Sequence, residues 1–501
     1  MIFVLIFIAY ALGLWRMSVP MTGDQKVYLS VALEMKERAS FIIPYLFDQP
    51  NFLKPPFQYW MTLLGWQIFG ISIFGAMLPS VIALVASAYL VKKLSPDKSN
   101  LSALVFSSTL ATMTYGTTAQ MEIWVVLFYL GAWLLFLKKK PIWSFLLVGV
   151  LAWIKGPLYS ALFVVSILIK AALEGNLREL KKVRFLGALC FGIAVGLLWY
   201  AAAAATQFDL LKNFFFGREN FGKLQTSQGS PLGLWTEFLG TLFPIIFLVL
   251  ASIGDPGFRA RLKMNRIFWL AFSGFPALFF TLFPYRVNTY LYLLTPVVSW
   301  LVISKPNPRP ALRVAIQIAS ATLAIVGIVF AYRLSIGSWI SVWLGLGISL
   351  TFIGWAFSNF KLNGAWIAAS SLILVNLVRI GATEIGEWDL QPLRQASHGQ
   401  DFSYLIDASH EDIWHEFGLI SAALGRPVLR VRDTDQERSF LEKGGSVILS
   451  DEQNPLPGSQ CDPWRRLKRR IKFPIKDLLK NGLSIENPEL HRTFQICRFI
   501  K

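Results

Sequence analysis

At 501 residues, 54% of them hydrophobic and only 16% charged, the chain has a mean hydropathy of +0.50 that excludes an ordinary water-soluble enzyme. Its net charge of +18 is not a nucleic-acid signal, because Lys and Arg collect in the cytoplasmic loops of membrane proteins. Four histidines, three cysteines and no Cys-x-x-Cys spacing leave little material for a metal site, so no cofactor is certain, and a divalent metal stays open but is not indicated.

Apolar runs fall near 2–20, 76–91, 101–116, 121–137, 142–154, 157–173, 185–205, 233–253, 267–283, 288–303, 312–332, 336–358 and 364–382. A run of about 20 residues crosses about 30 Å of hydrocarbon, so the pattern predicts a polytopic α-helical membrane protein with about 13 transmembrane helices. The short alternating strands of an outer-membrane barrel are missing. The first run has no small-residue cleavage site and reads as a retained anchor rather than a signal peptide. Alternate connections hold the basic residues: Lys92, Lys93 and Lys98; Lys138, Lys139 and Lys140; Lys170, Arg178, Lys181, Lys182 and Arg184; Arg259, Arg261, Lys263 and Arg266; Lys305, Arg309 and Arg313; and Lys361. The positive-inside rule makes those connections cytoplasmic. The N-terminus is then cytoplasmic, segment 21–75 extracytoplasmic, and an odd number of spans leaves the C-terminus outside.

Segment 21–75 is too long to be a mere connector. Its aromatic helical pattern from Phe57 to Phe69 predicts helices lying at the membrane surface, with Trp60 and Trp66 as interfacial anchors. Pro55-Pro56 disfavour helix at Lys54 and hold its ammonium at headgroup level, unless Lys54 only snorkels to the interface. Asp24, where the first run emerges, either caps the helix beginning near Val27 or serves chemistry. Glu122 at the outer end of the fourth run has the same two readings, capping or site, since an ionisable group facing other helices is costly there. Three later segments, Lys155-Gly156-Pro157, Arg218-Glu219-Asn220-Phe221-Gly222-Lys223 and Arg286-x-x-x-Tyr290 ahead of Pro296, each bring a cation to the same predicted face. Cys190, inside an apolar run, reads as a small buried hydrophobe.

From about residue 384 the composition changes. Segments 403–406, 412–424, 427–431, 436–443 and 446–449 read as β-α-β-α-β, predicting a small α/β extracytoplasmic domain over 384–501 after a membrane part over 1–383. Trp464-Arg-Arg-Leu-Lys-Arg-Arg-Ile-Lys472 is a basic amphipathic stretch, either a solvated helix face or a contact for anionic headgroups or glycans. Cys461 and Cys497 are placed to pair if this region lies in an oxidising compartment.

Asp24-Gln25-x-x-Tyr28, then Lys54-Pro55-Pro56, Lys155-Gly156-Pro157, Glu219-Asn220-Phe221-Gly222-Lys223 and Arg286-x-x-x-Tyr290 resemble, in order, the motifs of GT-C type glycosyltransferases. Within that class the chain is most similar to glycosyltransferase family 39, the branch of bacterial aminoarabinose–lipid A transferases and protein O-mannosyltransferases. The likeness runs over residues 1–300, with Gln25 and Leu53 where relatives usually have Glu, and Val27 where they often have Arg. It implies an inner-membrane enzyme of a bacterium, set in the lipid bilayer, that transfers a sugar from a polyprenyl-phosphate-linked donor. The acceptor would be an extracytoplasmic lipid, glycan or protein, and the anomeric centre would invert. Carried over by position, Asp24 and Glu122 become the catalytic acids. Lys54, Lys155, Lys223, Arg286 and Tyr290 become the donor-phosphate ligands, and Tyr28, Tyr59 and Glu219 the substrate contacts. A transporter or flippase of a lipid-linked sugar, or a non-catalytic binder of lipid-linked glycan, competes with this reading. Transporters place ionisable groups at the midplane, whereas these charges sit at span ends.

Overall fold

The computed structural model describes residues 1–12, 14, 23–46, 49–253 and 255–303, with stretches inside 310–318, 368–379, 402–405, 421–431, 434–443, 446–450, 455–467 and 491–499. Helices α1 (Ile2–Ala11) and α2 (Gly23–Glu37) lead to a short hairpin, β1 (Tyr45–Leu46) and β2 (Gln49–Pro50). Then come α3 (Phe57–Phe69), α4 (Ile73–Leu94), α5 (Asn100–Ser107), α6 (Leu110–Gly116), α7 (Glu122–Leu137), α8 (Pro141–Lys155) and α9 (Pro157–Leu173). The turn α10 (Leu177–Leu180) precedes α11 (Val183–Leu210), which runs through a π-helical stretch (Leu211–Phe221) into α12 (Gly222–Gln225). The series continues with α13 (Pro231–Thr241), α14 (Ile246–Ile253), α15 (Pro256–Met264), α16 (Arg266–Trp269), α17 (Phe275–Leu282) and α18 (Leu294–Leu301).

Helices occupy every run predicted up to residue 303, and the three later runs lie largely outside the described residues. Among the described residues, α4 and the helical segment Val183–Gln225, kinked at Gln207 (φ −145°, ψ 53°), are by themselves long and apolar enough to cross a membrane. Two expected straight spans are broken. Run 101–116 divides into α5 and α6 at Ser108-Thr109, and run 233–253 into α13 and α14, bent by 104°. Hydropathy windows average over such breaks, but backbone groups freed at membrane depth need internal partners. They find them here. The Leu110 N–H donates to the Phe243 carbonyl at 2.9 Å, so one break caps the other. The Ser108 hydroxyl lies 2.6 Å from the Leu104 carbonyl and 2.7 Å from that of Ala368.

The bundle has two unlike ends. α4, α7 and α9 finish beside Lys92–Lys93, Lys138 and Lys170, and α8 begins beside Lys140. At the other end stand Ser72, Glu122, Lys155 and Gly156-Pro157. Surface helix α3 is joined tightly to α4 at this second end. A Cβ on Gly65 would collide with the Gly75 carbonyl, so the two backbones touch. The Trp66 indole donates to the Ser72 carbonyl at 2.9 Å, and Ser72 caps α4 by accepting from the Gly75 N–H at 3.0 Å.

In the C-terminal region β3 (Phe402–Leu405), β4 (Leu429–Val431), β5 (Ser446–Ser450), β6 (Ser459–Leu467) and β7 (His491–Phe499) form one sheet in the order β4-β3-β5-β7-β6. β3 is parallel to β4 and β5, while β7 is antiparallel to β5 and β6. β3, β4, β5 and the helix Thr434–Glu442 lie on four of the predicted segments; the helix expected over 412–424 falls mostly outside the described residues.

The basic stretch is corrected. Trp464–Leu467 is strand, paired with His491–Phe494 of β7, and 468–472 lies outside the described residues. A long-range partner overrides the local helical pattern. Cys461 and Cys497 sit opposite each other on β6 and β7 and are joined as a disulfide. Cys190 is also corrected: it is exposed on the outer face of α11, where a small apolar side chain suits hydrocarbon as well as it suits a core.

Candidate functional site

Asp24 stands exposed in the first turn of α2, where a carboxylate is favoured by the helix dipole. One turn on, Tyr28 is buried and packs edge-on against Tyr59 of α3, ring centroids 5.8 Å apart. Pro55 disfavours helix at Lys54, Pro56 already takes helical backbone angles (φ −83°, ψ −5°) ahead of α3 at Phe57, and the Asn51 side chain closes the turn before them by accepting from the Leu53 N–H at 3.1 Å. Phe57 meets Trp124 of α7 at 5.3 Å, which fixes this loop beside the start of α7.

Lys54 leaves the loop to meet Glu219 of the π-helical stretch. The same Glu219 oxygen accepts from Lys223, four residues on, at 2.5 Å. One carboxylate shared by two ammonium groups neutralises neither fully. The second acid–base pair is Glu122 with Lys155, at 2.7 Å. Lys155 also reaches the Thr289 hydroxyl at 3.5 Å and lies over the Tyr290 and Tyr159 rings, at 5.6 and 5.9 Å from their centroids. Lys223 lies 5.1 Å from the Tyr285 ring. Asp24 is within electrostatic reach of Lys54, Lys223, Tyr28 and Tyr59.

The chain thus brings Asp24, Tyr28, Lys54, Tyr59, Glu122, Lys155, Glu219, Lys223 and Tyr290 together at one end of the bundle. Arg286 differs. Its guanidinium donates to the Thr281, Gly229 and Pro284 carbonyls at 2.9, 3.0 and 3.3 Å, tying two loops together. Tyr285, Thr289 and Tyr159 were missed from sequence. Their only signal was adjacency to residues already singled out, because an isolated hydroxyl has no spacing rule. Among the described residues, no three His, Cys, Asp or Glu side chains group closely enough to hold a metal ion.

Burial, reinforced by the Lys223 and Lys155 ammonium groups, holds the Lys54 pKa well below the ordinary 10.5, while Asp24 and Glu122 pull it back up. A bound anion raises it again. In the pH window between the free and bound pKa values the complex carries the extra proton, so anion affinity falls as pH rises through that window and is level below it. The fall is at most about tenfold per pH unit. Donor affinity titrated upward from neutral pH should show this slope, and Lys54→Arg, which stays charged, should flatten it.

Gly156 joins α8 to α9 with φ +88° and ψ 173°, a region essentially reserved for glycine. A Cβ there would also lie 3.3 Å from the Phe215 ring. Gly156→Ala should therefore cost about 1–3 kcal/mol, read as a lowered Tm, and tilt Lys155 away from Glu122. Beside this turn, an apolar cavity of about 450 Å³ opens between α8, α9 and α11, lined by Phe145, Ala152, Pro157, Val164, Gly192 and Tyr200.

The chain matches no protein-family model. It is 25% identical over 401 residues, 71% of each chain, to the undecaprenyl phosphate-alpha-4-amino-4-deoxy-L-arabinose arabinosyl transferase of Yersinia pestis (strain Pestoides F). It is 27% identical over 307 residues to an uncharacterized protein of Aquifex aeolicus, covering 59% of this chain and 70% of that one. In structure it is similar to ArnT from Cupriavidus metallidurans in the apo state, with TM-score 0.66, 14% identity and coverage of 99% of this chain and 97% of the other. The same ArnT bound to undecaprenyl phosphate aligns with TM-score 0.65 at the same identity and coverage. The resemblance read from the loop motifs therefore extends to a sequence similarity over 71% of the chain, and the architecture is the multi-pass membrane GT-C fold.

Proposed function

We propose that this chain is a membrane glycosyltransferase that moves a sugar from a polyprenyl-phosphate donor to an extracytoplasmic lipid, glycan or protein acceptor. The observation that carries the reading is the set of three ammonium groups, Lys54, Lys155 and Lys223, facing three carboxylates at one end of an apolar bundle. A polyprenyl phosphate carries its anion at headgroup level and its tail in hydrocarbon, and the apolar cavity between α8, α9 and α11 reaches Pro157, two residues after Lys155. The relatives' names and the ArnT complex with undecaprenyl phosphate support the same donor class.

In this reading Lys54 and Lys223 leave their shared Glu219 to grip the donor phosphate, and Lys155 is held for it by Glu122. The acceptor oxygen forms a bond to the anomeric carbon as the carbon–oxygen bond to phosphate breaks. The phosphate departs with the electron pair, the configuration inverts, and Asp24 takes the proton of a hydroxyl acceptor. An acceptor phosphate would already be ionised, leaving Asp24 to position it. Tyr28 and Tyr59, whose burial pushes both phenols well above their usual pKa of 10.0, remain hydroxyl donors for the sugar. We read Arg286 as the residue that fixes the loops around Tyr285 and Tyr290.

The topology belongs to the same proposal. The lysine-bearing end faces the cytoplasm, the site end faces outward, about 13 helices span the bilayer, and 384–501 is an extracytoplasmic domain. The Cys461–Cys497 disulfide supports an oxidising side for that domain. The test is reconstitution in proteoliposomes with polyprenyl-phosphate sugars and a panel of lipid, glycan and peptide acceptors. Transfer with release of polyprenyl phosphate supports the proposal. Donor crossing the bilayer without transfer would make the protein a flippase.

A further inference from the structure

At the end of the bundle opposite the Lys54 cluster, a cavity of about 400 Å³ opens between the tips of α4, α7 and α9 and the junction of α15 with α16. Its two sides differ in chemistry. Leu137 and Phe268 belong to an apolar wall, while Lys170, Glu174, Lys263 and Arg266 bring charge to the mouth. Lys170 is neutralised by Glu174, one helical turn on. Lys263 and Arg266 are exposed and have no acidic partner among the described residues, so two positive charges are left over an apolar wall.

The frame holding those charges is rigid. Arg261, one turn before Arg266, pairs with Asp97 at 3.0 Å and donates to the Trp300 and Val302 carbonyls at 3.2 and 3.0 Å. The Asp255 side chain caps α15 by accepting from the Gly257 N–H at 2.7 Å. Helix α15 is thereby fixed between the α4–α5 turn and the end of α18, and Lys263 and Arg266 cannot swing to distant acids.

We propose that this cavity binds an anionic phospholipid, its phosphodiester between Lys263 and Arg266 and an acyl chain along Leu137 and Phe268. The planar fork of Arg and the point charge of Lys suit one phosphodiester. Basic pockets between helix ends at the cytoplasmic surface are where anionic headgroups collect. Inorganic phosphate would satisfy the cations but leave the apolar wall facing water. Assignment to the cytoplasmic leaflet rests on the topology proposed above; the binding itself does not.

The experiment is native mass spectrometry of the full chain in non-ionic detergent with added palmitoyl-oleoyl-phosphatidylglycerol or the matching phosphatidylcholine. Wild type should retain phosphatidylglycerol selectively, and K263E/R266E should retain it about tenfold less. K138E/K139E, with the same charge change at the same end, should behave as wild type. If the charge reversals impair folding, K263A/R266A should still rank below wild type. Equal loss in the K138E/K139E control, equal retention of phosphatidylcholine, or displacement of the lipid by inorganic phosphate would each overturn the proposal. Lys263→Cys, in a chain carrying Cys190→Ser, separates the leaflet from the site. Protection from an impermeant maleimide in intact cells supports the cytoplasmic assignment, and labelling from outside overturns it while leaving the binding result intact.

Discussion

Lys54→Ala is expected to lower sugar transfer from a polyprenyl-phosphate donor by about 100- to 1,000-fold, the loss typical when one pre-positioned group is removed from a developing negative charge. Three features make this effect large. The ammonium is mostly buried, with 19% of its side chain exposed, so little water can replace it. Pro55 restricts the backbone at Lys54, and the contact with Glu219 holds the end of its stem. Its carboxylate partner is already shared with Lys223, so the Lys54–Glu219–Lys223 group keeps one positive charge that an entering phosphate would meet. Initial rates in proteoliposomes should show the deficit in kcat/KM, with Lys54→Arg recovering part of it because the charge remains. A rate within about twofold of wild type, in a variant with unchanged Tm, would remove Lys54 from the machinery.

Asp24→Asn is the second. The amide fills the same volume but cannot take a proton, and a missing general base costs about 100- to 10,000-fold. The loss should fall on kcat, because Asp24 is exposed at the mouth of the site rather than paired in the lysine cluster. A hydroxyl acceptor should show the full deficit, and a phosphate acceptor a much smaller one. Comparing the two acceptors therefore identifies the role of the carboxylate as well as its importance.

Much of this site was legible because membrane boundaries make charge informative. Lys54 stands out ahead of a Pro-Pro step, and Glu122 and Lys155 sit where runs of hydrophobic residues begin or end. What the sequence hid was pairing. Nothing local says that Glu122 belongs to Lys155, 33 residues on, or that Glu219 bridges Lys54 and Lys223. Arg286 shows the opposite failure: a cation in a suggestive motif spends its donors on three backbone carbonyls. The breaks at Ser108 and near Phe243 were invisible to hydropathy because both lie in apolar company, and their mutual hydrogen bond, with the Ser108 hydroxyl on two carbonyls, explains why they are tolerated. In the same way, β6 hid behind a helical-looking basic pattern, since its strand character comes from β7, more than twenty residues away in the chain.

The contact of Gly65 on Gly75 has a mechanical consequence. Because the two backbones touch, the segment carrying Lys54 is anchored to the first turn of α4, and in the topology proposed above its height follows that helix and not the lipid headgroups. A thicker or thinner bilayer would then shift the donor's anion relative to a fixed gripping point, and turnover would sense membrane thickness without any regulator being bound.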